Sequence, residues 1–357
     1  MQEPERAIRS EIERRGPMSF DRFMELALYG PGGFYELPPI GAGDDAAFVT
    51  SSHVHPVFAE LLADALRQLH SGLGDPDPLR IVEVGAGDGT LASGLLDALD
   101  ERPVDYAAVE RSQGARDALS ARGMLVVDRL EKLAPIEGVL LANELLDNLP
   151  FRRVRMSDEG PAEIVIDIAQ DLLVERERPA SGELEGVLPE GIEPGNEFAF
   201  PSGALAFIDD LAACLTRGYA VLIDYGAMRG PAGAVHGYRG QRVVEDVLVD
   251  PGSADITAGV DLGAVAHRAQ ERGLEVLGAP SQHAALLALG FETWTRGQLE
   301  RQGELLDERA GLEAVRMWSG RSRATLLADP AALGRLRWLV LATPELPEPD
   351  WLTEALA

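Results

Sequence analysis

The 357-residue sequence predicts an α/β fold: a mostly parallel sheet with helices on both faces, an N-terminal helical segment and a small inserted β subdomain. Three observations predict it. Residues 81–90, IVEVGAGDGT, read as a short apolar strand, a glycine turn and the start of a helix whose Leu91, Leu95, Leu96 and Leu99 share one face. Near-continuous apolar strands then alternate with helical patterns, as in a parallel sheet buried on both sides. The rhythm breaks from 151 to about 200, where FRRVR, EIVIDI and LLVERER have the look of antiparallel strands, and it resumes afterwards.

Taken in order, residues 1–78 form an N-terminal helical or cap segment and 79–357 the main domain. Ile8 and Ile12 mark a first short helix. Ser19 is placed as the N-cap of FDRFMELAL, whose Phe20, Phe23, Met24 and Leu28 line one face, and Gly30 to Gly33 stop it. A strongly amphipathic helix follows at 56–70, and GLGDPDP leads into the sheet. Strands are expected at 81–85, 105–110, 124–128 and 138–143, with a helix on Ala115, Ala118 and Leu119 between the second and third. After the insertion come a helix at 202–216, a strand at 220–226 and an irregular Gly-rich loop at 227–258. A helix at 261–272, a strand at 274–278, helices at 282–290 and 295–328 and a last strand, RWLVLA, complete the chain.

Composition narrows the function. The chain is 46% hydrophobic and 25% charged, and 59 acidic against 32 basic residues give a formal charge of −27. Such a field repels nucleic-acid phosphate and attracts cations, for instance an arginine-bearing protein segment. A single cysteine, Cys214, excludes an intrachain disulfide and a cysteine-cluster metal site. No run approaches the ~18 apolar residues of a membrane span, and the charged N-terminus has no apolar signal core. Cytoplasmic residence and no membrane partner are the expectation.

The glycine turn decides the cofactor. A dinucleotide site wants G-x-G-x-x-G, whereas here Gly85, Gly87 and Gly89 alternate and the sixth position is Thr90. Glu83 stands two residues before the first glycine. A carboxylate beside a glycine turn suits S-adenosylmethionine, which carries an ammonium group and no phosphate. A ribose wants a carboxylate at the end of the next strand, and Glu110 supplies it 21 residues past Gly89. Asp128 and Asn143, ending the third and fourth strands, join these cofactor contacts. Ligands of open parallel sheets lie beyond the carboxyl ends of the strands, so Glu144, Asp147 and Asp224 are the candidate catalytic carboxylates. Such groups hold a guanidinium by forked hydrogen bonds. Tyr35, Thr50, His53 and Tyr225 are candidate substrate contacts. His53 and His55 form an H-x-H without a third ligand at telling spacing, and no metal is expected.

These residues add up to a resemblance. GPMSFDRFMELALYGPGGFY at 16–35, IVEVGAGDGTL, ANELLDNLPFRRV at 142–154, LIDYG at 222–226, PGSADITAGVDL at 251–262 and SQHAALLALG at 281–290 resemble, in the same order, the motifs of the bacterial and mitochondrial methyltransferases called the MidA family. The resemblance implies the seven-stranded class I methyltransferase fold (Rossmann-like), Gly85, Gly87, Gly89 and Glu110 as cofactor contacts, and Asn143, Glu144, Asp147 and Asp224 as the rim of the active site. It also implies methylation of a protein arginine, as by the mitochondrial member that assists respiratory complex I assembly. The chain departs from the family where an S-P-E-x-S segment is expected, having Ser51, Ser52, His53, Val54 and His55, and where histidines are expected it has Gln241 and Gly259. Cofactor binding is intact and the substrate side has changed. The expected acceptor is therefore a protein arginine, with a small-molecule O- or N-acceptor, or a cofactor-binding module without catalysis, as alternatives. A nicotinamide-linked oxidoreductase is a more distant one, and the assembly is a monomer or homodimer.

Overall fold

The computed structural model describes residues 2–36, 50–100, 103–182, 184, 193–229, 235–239, 242–244 and 246–357. Its centre is a sheet of seven strands: β1 (Leu79–Val84), β2 (Val104–Val109), β3 (Leu125–Val127), β4 (Ile136–Asn143), β5 (Leu215–Asp224), β6 (Glu275–Gly278) and β7 (Arg337–Ala342). Their spatial order is β3-β2-β1-β4-β5-β7-β6. Every pairing is parallel except those of β7, which runs antiparallel to both neighbours. The seven-stranded, mostly parallel sheet expected from the sequence is present.

Side chains of a strand alternate between faces, and here both faces are apolar. Val139 and Leu141 of β4, with Tyr219, Val221 and Ile223 of β5 and Trp338 and Val340 of β7, pack on one side against the helices Val57–Gly72, Thr90–Ala98 and Gln282–Ala288. Leu140, Ala142, Ala220, Leu222, Leu339 and Leu341 face the other way, onto the helices Ser202–Cys214 and Leu262–Glu271. Continuous apolar strands are what a sheet sandwiched between helices requires.

The inserted subdomain is an antiparallel sheet of Arg152–Ser157, Gly160–Ala169, Leu172–Pro179 and Glu197–Phe200. Met18 and Ser19 add a short fifth strand to it, pairing with Ile166 and Val165. Phe20, Phe23 and Met24 bury themselves with Phe151, Ile166 and Ile256 in a core distinct from the two under the central sheet. The segment 1–78 is thus not one unit: residues 3–29 join the insertion, while the helix Val57–Gly72 belongs to the central sheet. Hydrophobic patterning does not expose this, because the link is a two-residue strand.

Two further expectations change. The region 227–258 is not wholly irregular: His236–Arg239, Arg242–Val244 and Asp255–Thr257 form a small antiparallel sheet. Its strands are too short for alternation to stand out of the glycines. The stretch 295–328 is two helices, Phe291–Asp307 and Gly311–Ala328, separated where Arg309 adopts φ +62°. Ser19 does precede its helix, but its hydroxyl bonds Asp21 Oδ1 and caps no amide. Gln241, and residues 183 and 185–192 of the acidic loop, lie outside the described residues. Among the described residues no helix is long and apolar enough to cross a membrane.

Candidate active site

The chain leaves β1 through Gly85, Gly87 and Gly89, all at positive φ (+76°, +54° and +78°), a region that costs any other L-residue about 1–2 kcal/mol. Gly85 N–H donates to Val109 O (2.8 Å) and Gly89 N–H to Ala86 O (2.9 Å), which fold the turn tightly against β2. A Cβ on Gly85 would lie 2.9 Å from Leu145 Cδ1, and one on Gly89 2.7 Å from Leu119 Cδ2. At Gly87 no atom of the described residues lies within 4 Å of such a Cβ. That open side faces a cavity of about 450 Å³ at the carboxyl ends of β1, β2 and β4, within the usual range of small-molecule sites.

Four carboxylates define the chemistry of this cavity. Glu110 accepts Gly87 N–H (3.0 Å) at one oxygen and Ser112 N–H (2.9 Å) at the other, which fixes it beside the turn; burial raises its pKa. Glu83 is 3% exposed and accepts the Tyr106 hydroxyl. Burial pushes its carboxyl up to about 8, against the opposing pull of that bond and with help from Glu110 and Asp88. Asp88 accepts the Thr90 N–H and hydroxyl (both 2.9 Å) and faces His53 Nε2 at 3.2 Å. Its burial is outweighed by these bonds, which hold it below the ordinary carboxylate range.

Glu144 is the fourth. It adopts φ +53°, strained for a side chain of its kind, and is held there by Glu144 N–H to Ile223 O (2.7 Å). Its Oε1 accepts Ser51 N–H (2.7 Å) and Asn143 Nδ2 (3.3 Å), and burial raises its pKa. Ser51 is tied in turn through Gln282 to Leu327 O. Asn143 Oδ1 is buried with no hydrogen-bond partner among the described residues.

The cavity holds Tyr35, Thr50, His53, Glu83, Gly85, Gly87, Glu110, Asp128, Asn143 and Glu144, which the sequence singled out. It does not hold Gly89, Asp147, Asp224 or Tyr225. Gly89 occupies the N-cap of Thr90–Ala98. Asp224 is fully buried: Oδ2 accepts Leu146 N–H (2.6 Å) and Asp147 N–H (3.4 Å), and Oδ1 accepts Tyr225 N–H (2.7 Å). Tyr225 lies under the guanidinium of Arg335, 5.1 Å away. Asp147 lies outside the cavity, with Oδ2 accepting the Thr257 hydroxyl (2.8 Å) and Oδ1 buried without a partner among the described residues. Burial raises the pKa of both Asp147 and Asp224.

Sequence reasoning missed several lining or supporting residues. Asp88 sits inside the glycine motif itself and was visible there. Tyr29, stacked on Tyr35 (5.3 Å) and covered by Arg111 (4.2 Å), belongs to the N-terminal helix and gave no signal. Arg111 also pairs with Glu25. Asp255 accepts Tyr35 Oη (2.8 Å) and Asn148 Nδ2 (3.0 and 3.1 Å), joining two motifs remote in sequence. His55 turns away from His53, its Nδ1 accepting Val57 N–H (3.1 Å) and its ring edge-on to Trp294.

The cavity can hold a nucleoside bearing an amino acid. Glu110 offers acceptors to a ribose diol, Glu83 and the orphaned Asn143 Oδ1 offer them to an ammonium group, and Gly87 leaves space where a Cβ would stand. Eight carboxylate residues but only two arginines line the cavity among the described residues, so it favours cations.

Comparison with known proteins agrees. Residues 61–280 match the model of a family described as S-adenosyl-L-methionine-dependent methyltransferases. The chain is 26% identical to the mitochondrial protein arginine methyltransferase NDUFAF7 homolog of Drosophila melanogaster, over 94% of this chain and 83% of that protein. It is 24% identical to the human NDUFAF7, over 84% and 76%. A crystal structure of a Burkholderia thailandensis protein bound to S-adenosyl-homocysteine superposes with a TM-score of 0.82 at 28% identity, covering 99% of this chain and 95% of that one.

Proposed function

We propose, from the premise that this chain belongs to that family of S-adenosyl-L-methionine-dependent methyltransferases, that the methyl group goes to the guanidinium of an arginine side chain in a protein. The enzyme is a methyltransferase and its cofactor is S-adenosylmethionine, which supplies an electrophilic methyl group on a sulfonium. The observation that carries the acceptor reading is the set of carboxylates: eight line the cavity among the described residues, Glu144 among them, and Asp147 lies outside it with a buried oxygen that has no partner among the described residues. A buried acceptor oxygen without a donor is costly, and a guanidinium brings five N–H donors in a fixed fork. The curated relatives, named as protein arginine methyltransferases, support the same acceptor.

In this reading Glu83, Glu110 and Asn143 hold the cofactor's ammonium and ribose groups, and Asp128 stands at the end of β3 beside them. Glu144 orients the guanidinium from within the cavity, and Asp147 adds its carboxyl from outside the cavity wall. Asp224 contributes by holding the amides of the turn that carries them. Tyr35 shapes the approach from the cavity wall, and Tyr225 stands outside it under Arg335. The protein acts in the cytoplasm as a monomer or homodimer. A second reading, methylation of a small N- or O-nucleophile, is favoured by the Thr50, Ser52 and His53 side chains, which give the acceptor side hydroxyl and imidazole groups in place of a carboxylate.

The test is transfer of isotopically labelled methyl from S-adenosylmethionine to cell extract and to arginine-bearing peptides, with mass spectrometry of the products. Methylarginine supports the reading. Label found only on other groups, or on small molecules, overturns it.

A further inference from the structure

The geometry points to a proton path of Thr50, His53 and Asp88 that receives the proton which the methyl acceptor sheds. The inference rests on the methyl-transfer reading above and deepens it. Thr50 Oγ1 lies 2.8 Å from His53 Nδ1, and His53 Nε2 lies 3.2 Å from Asp88 Oδ2. All three side chains line the cavity. His53 and Asp88 are only 11% and 20% exposed.

The direction of the path follows from donor and acceptor chemistry. Asp88 already accepts the Thr90 N–H and hydroxyl, as an ionised carboxylate does. It therefore takes a hydrogen from His53 Nε2, which leaves Nδ1 as the acceptor for the Thr50 hydroxyl. The Thr50 oxygen keeps lone pairs for an N–H or O–H in the cavity. Ser52 Oγ, 2.9 Å away, is its other neighbour.

A nucleophile that gains a methyl group as the carbon–sulfur bond breaks ends with one positive charge and one proton too many, since the electron pair of the broken bond stays on sulfur. Thr50 takes that proton while passing its own to His53 Nδ1. Asp88 stabilises the imidazolium, so the net change is one proton moved from the acceptor to His53. Glu144, anchored to the same turn through Ser51 N–H, also faces this segment. The hydroxyl–imidazole–carboxylate order is the one by which proton acceptors are held in the right tautomer elsewhere.

The experiment has two readouts. Nitrogen NMR of histidine-labelled protein, without any acceptor, should show His53 protonated at Nε2 and not at Nδ1, and Asp88→Asn should abolish that preference. Steady-state kinetics should show kcat reduced about a hundredfold in His53→Ala, with S-adenosylhomocysteine affinity changed less than about twofold and part of the rate restored by added imidazole. A proton on Nδ1, insensitivity to Asp88→Asn, a His53→Ala enzyme at full rate, or a loss of rate that imidazole leaves untouched would each overturn the path. Transfer to a nucleophile other than arginine with the same imidazole response removes the arginine reading and leaves the path standing. Arginine methylation at full rate in His53→Ala does the reverse, and no transfer to any nucleophile removes both.

Discussion

Replacing Glu83 by glutamine should weaken cofactor binding and at the same time stabilise the empty protein at alkaline pH. Glu83 is 3% exposed, and burial pushes its carboxyl up to about 8, against about 4.3 in an unfolded chain. At neutral pH roughly one molecule in ten has this carboxylate ionised, and near pH 6 about one in a hundred. If the ammonium end of the cofactor needs the ionised form, apparent affinity scales with that fraction. The wild type should therefore bind S-adenosylhomocysteine about fiftyfold more tightly near pH 8 than near pH 6, releasing close to one proton at the lower pH. The stability sign is opposite. A carboxyl whose folded pKa is raised contributes its full stability below the unfolded pKa and loses it as pH rises through about 8. The loss is bounded by the shift at up to about 5 kcal/mol. Glu83→Gln keeps an acceptor for the Tyr106 hydroxyl and has no charge to bury. Calorimetry in buffers of different ionisation enthalpy gives affinity and proton count together, and thermal melts at pH 6 and about 9 give the stability difference. Wild-type affinity that is flat across this range, with no proton released, would refute the reasoning.

Other expected outcomes follow from single contacts. Gly87→Val projects into the cavity from a residue whose added Cβ meets nothing within 4 Å among the described residues, so circular dichroism should show a folded protein while S-adenosylhomocysteine binding is lost; unaltered binding would detach the turn from the cofactor. Asp224→Ala orphans the two closest amides that its buried carboxylate receives, Leu146 N–H and Tyr225 N–H, at about 1–3 kcal/mol each, and denaturant melts should show the drop. A variant as stable as the wild type but inactive would instead make Asp224 a reacting group. Glu144→Gln retains the Ser51 bond through its amide oxygen and removes the charge, so kcat should fall at least about tenfold with cofactor affinity unchanged. Full turnover would exclude Glu144 from the reaction.

Much of the fold was legible because it depends on local pattern. Each sheet strand is an apolar run, and Glu83, the three glycines and Glu110 are fixed by spacing along two adjacent strands. The mouth of the site was legible only in part. Asn143 and Glu144 follow the end of β4 into the cavity, but Asp224 ends β5 just as plainly and turns inward to bind amides. Strand position alone does not say whether a terminal carboxylate serves a ligand or the backbone. Residues brought by long connections carried the weakest signal. Tyr29 meets Arg111 and Tyr35 meets Asp255 across long stretches of sequence, and the two-residue strand Met18–Ser19 that docks the N-terminal segment is too short for any periodicity.

The order of the central sheet has a consequence for how the protein comes into being. β7, which follows the other six sheet strands in sequence, lies inside the sheet between β5 and β6. Until it arrives, β6 has no neighbour in the sheet to pair with, and the Trp338 Nε1 that bonds Gln282 Oε1 (3.3 Å) is missing as well. Gln282 holds Ser51, and Ser51 holds Glu144. A nascent chain can therefore close its glycine turn early, at synthesis rates of about 5–20 residues per second, while the contacts that fix Ser51 and Glu144 wait for β7. The glycine turn and the Ser51–Glu144 pair are thus completed at different times, in the order in which their strands emerge.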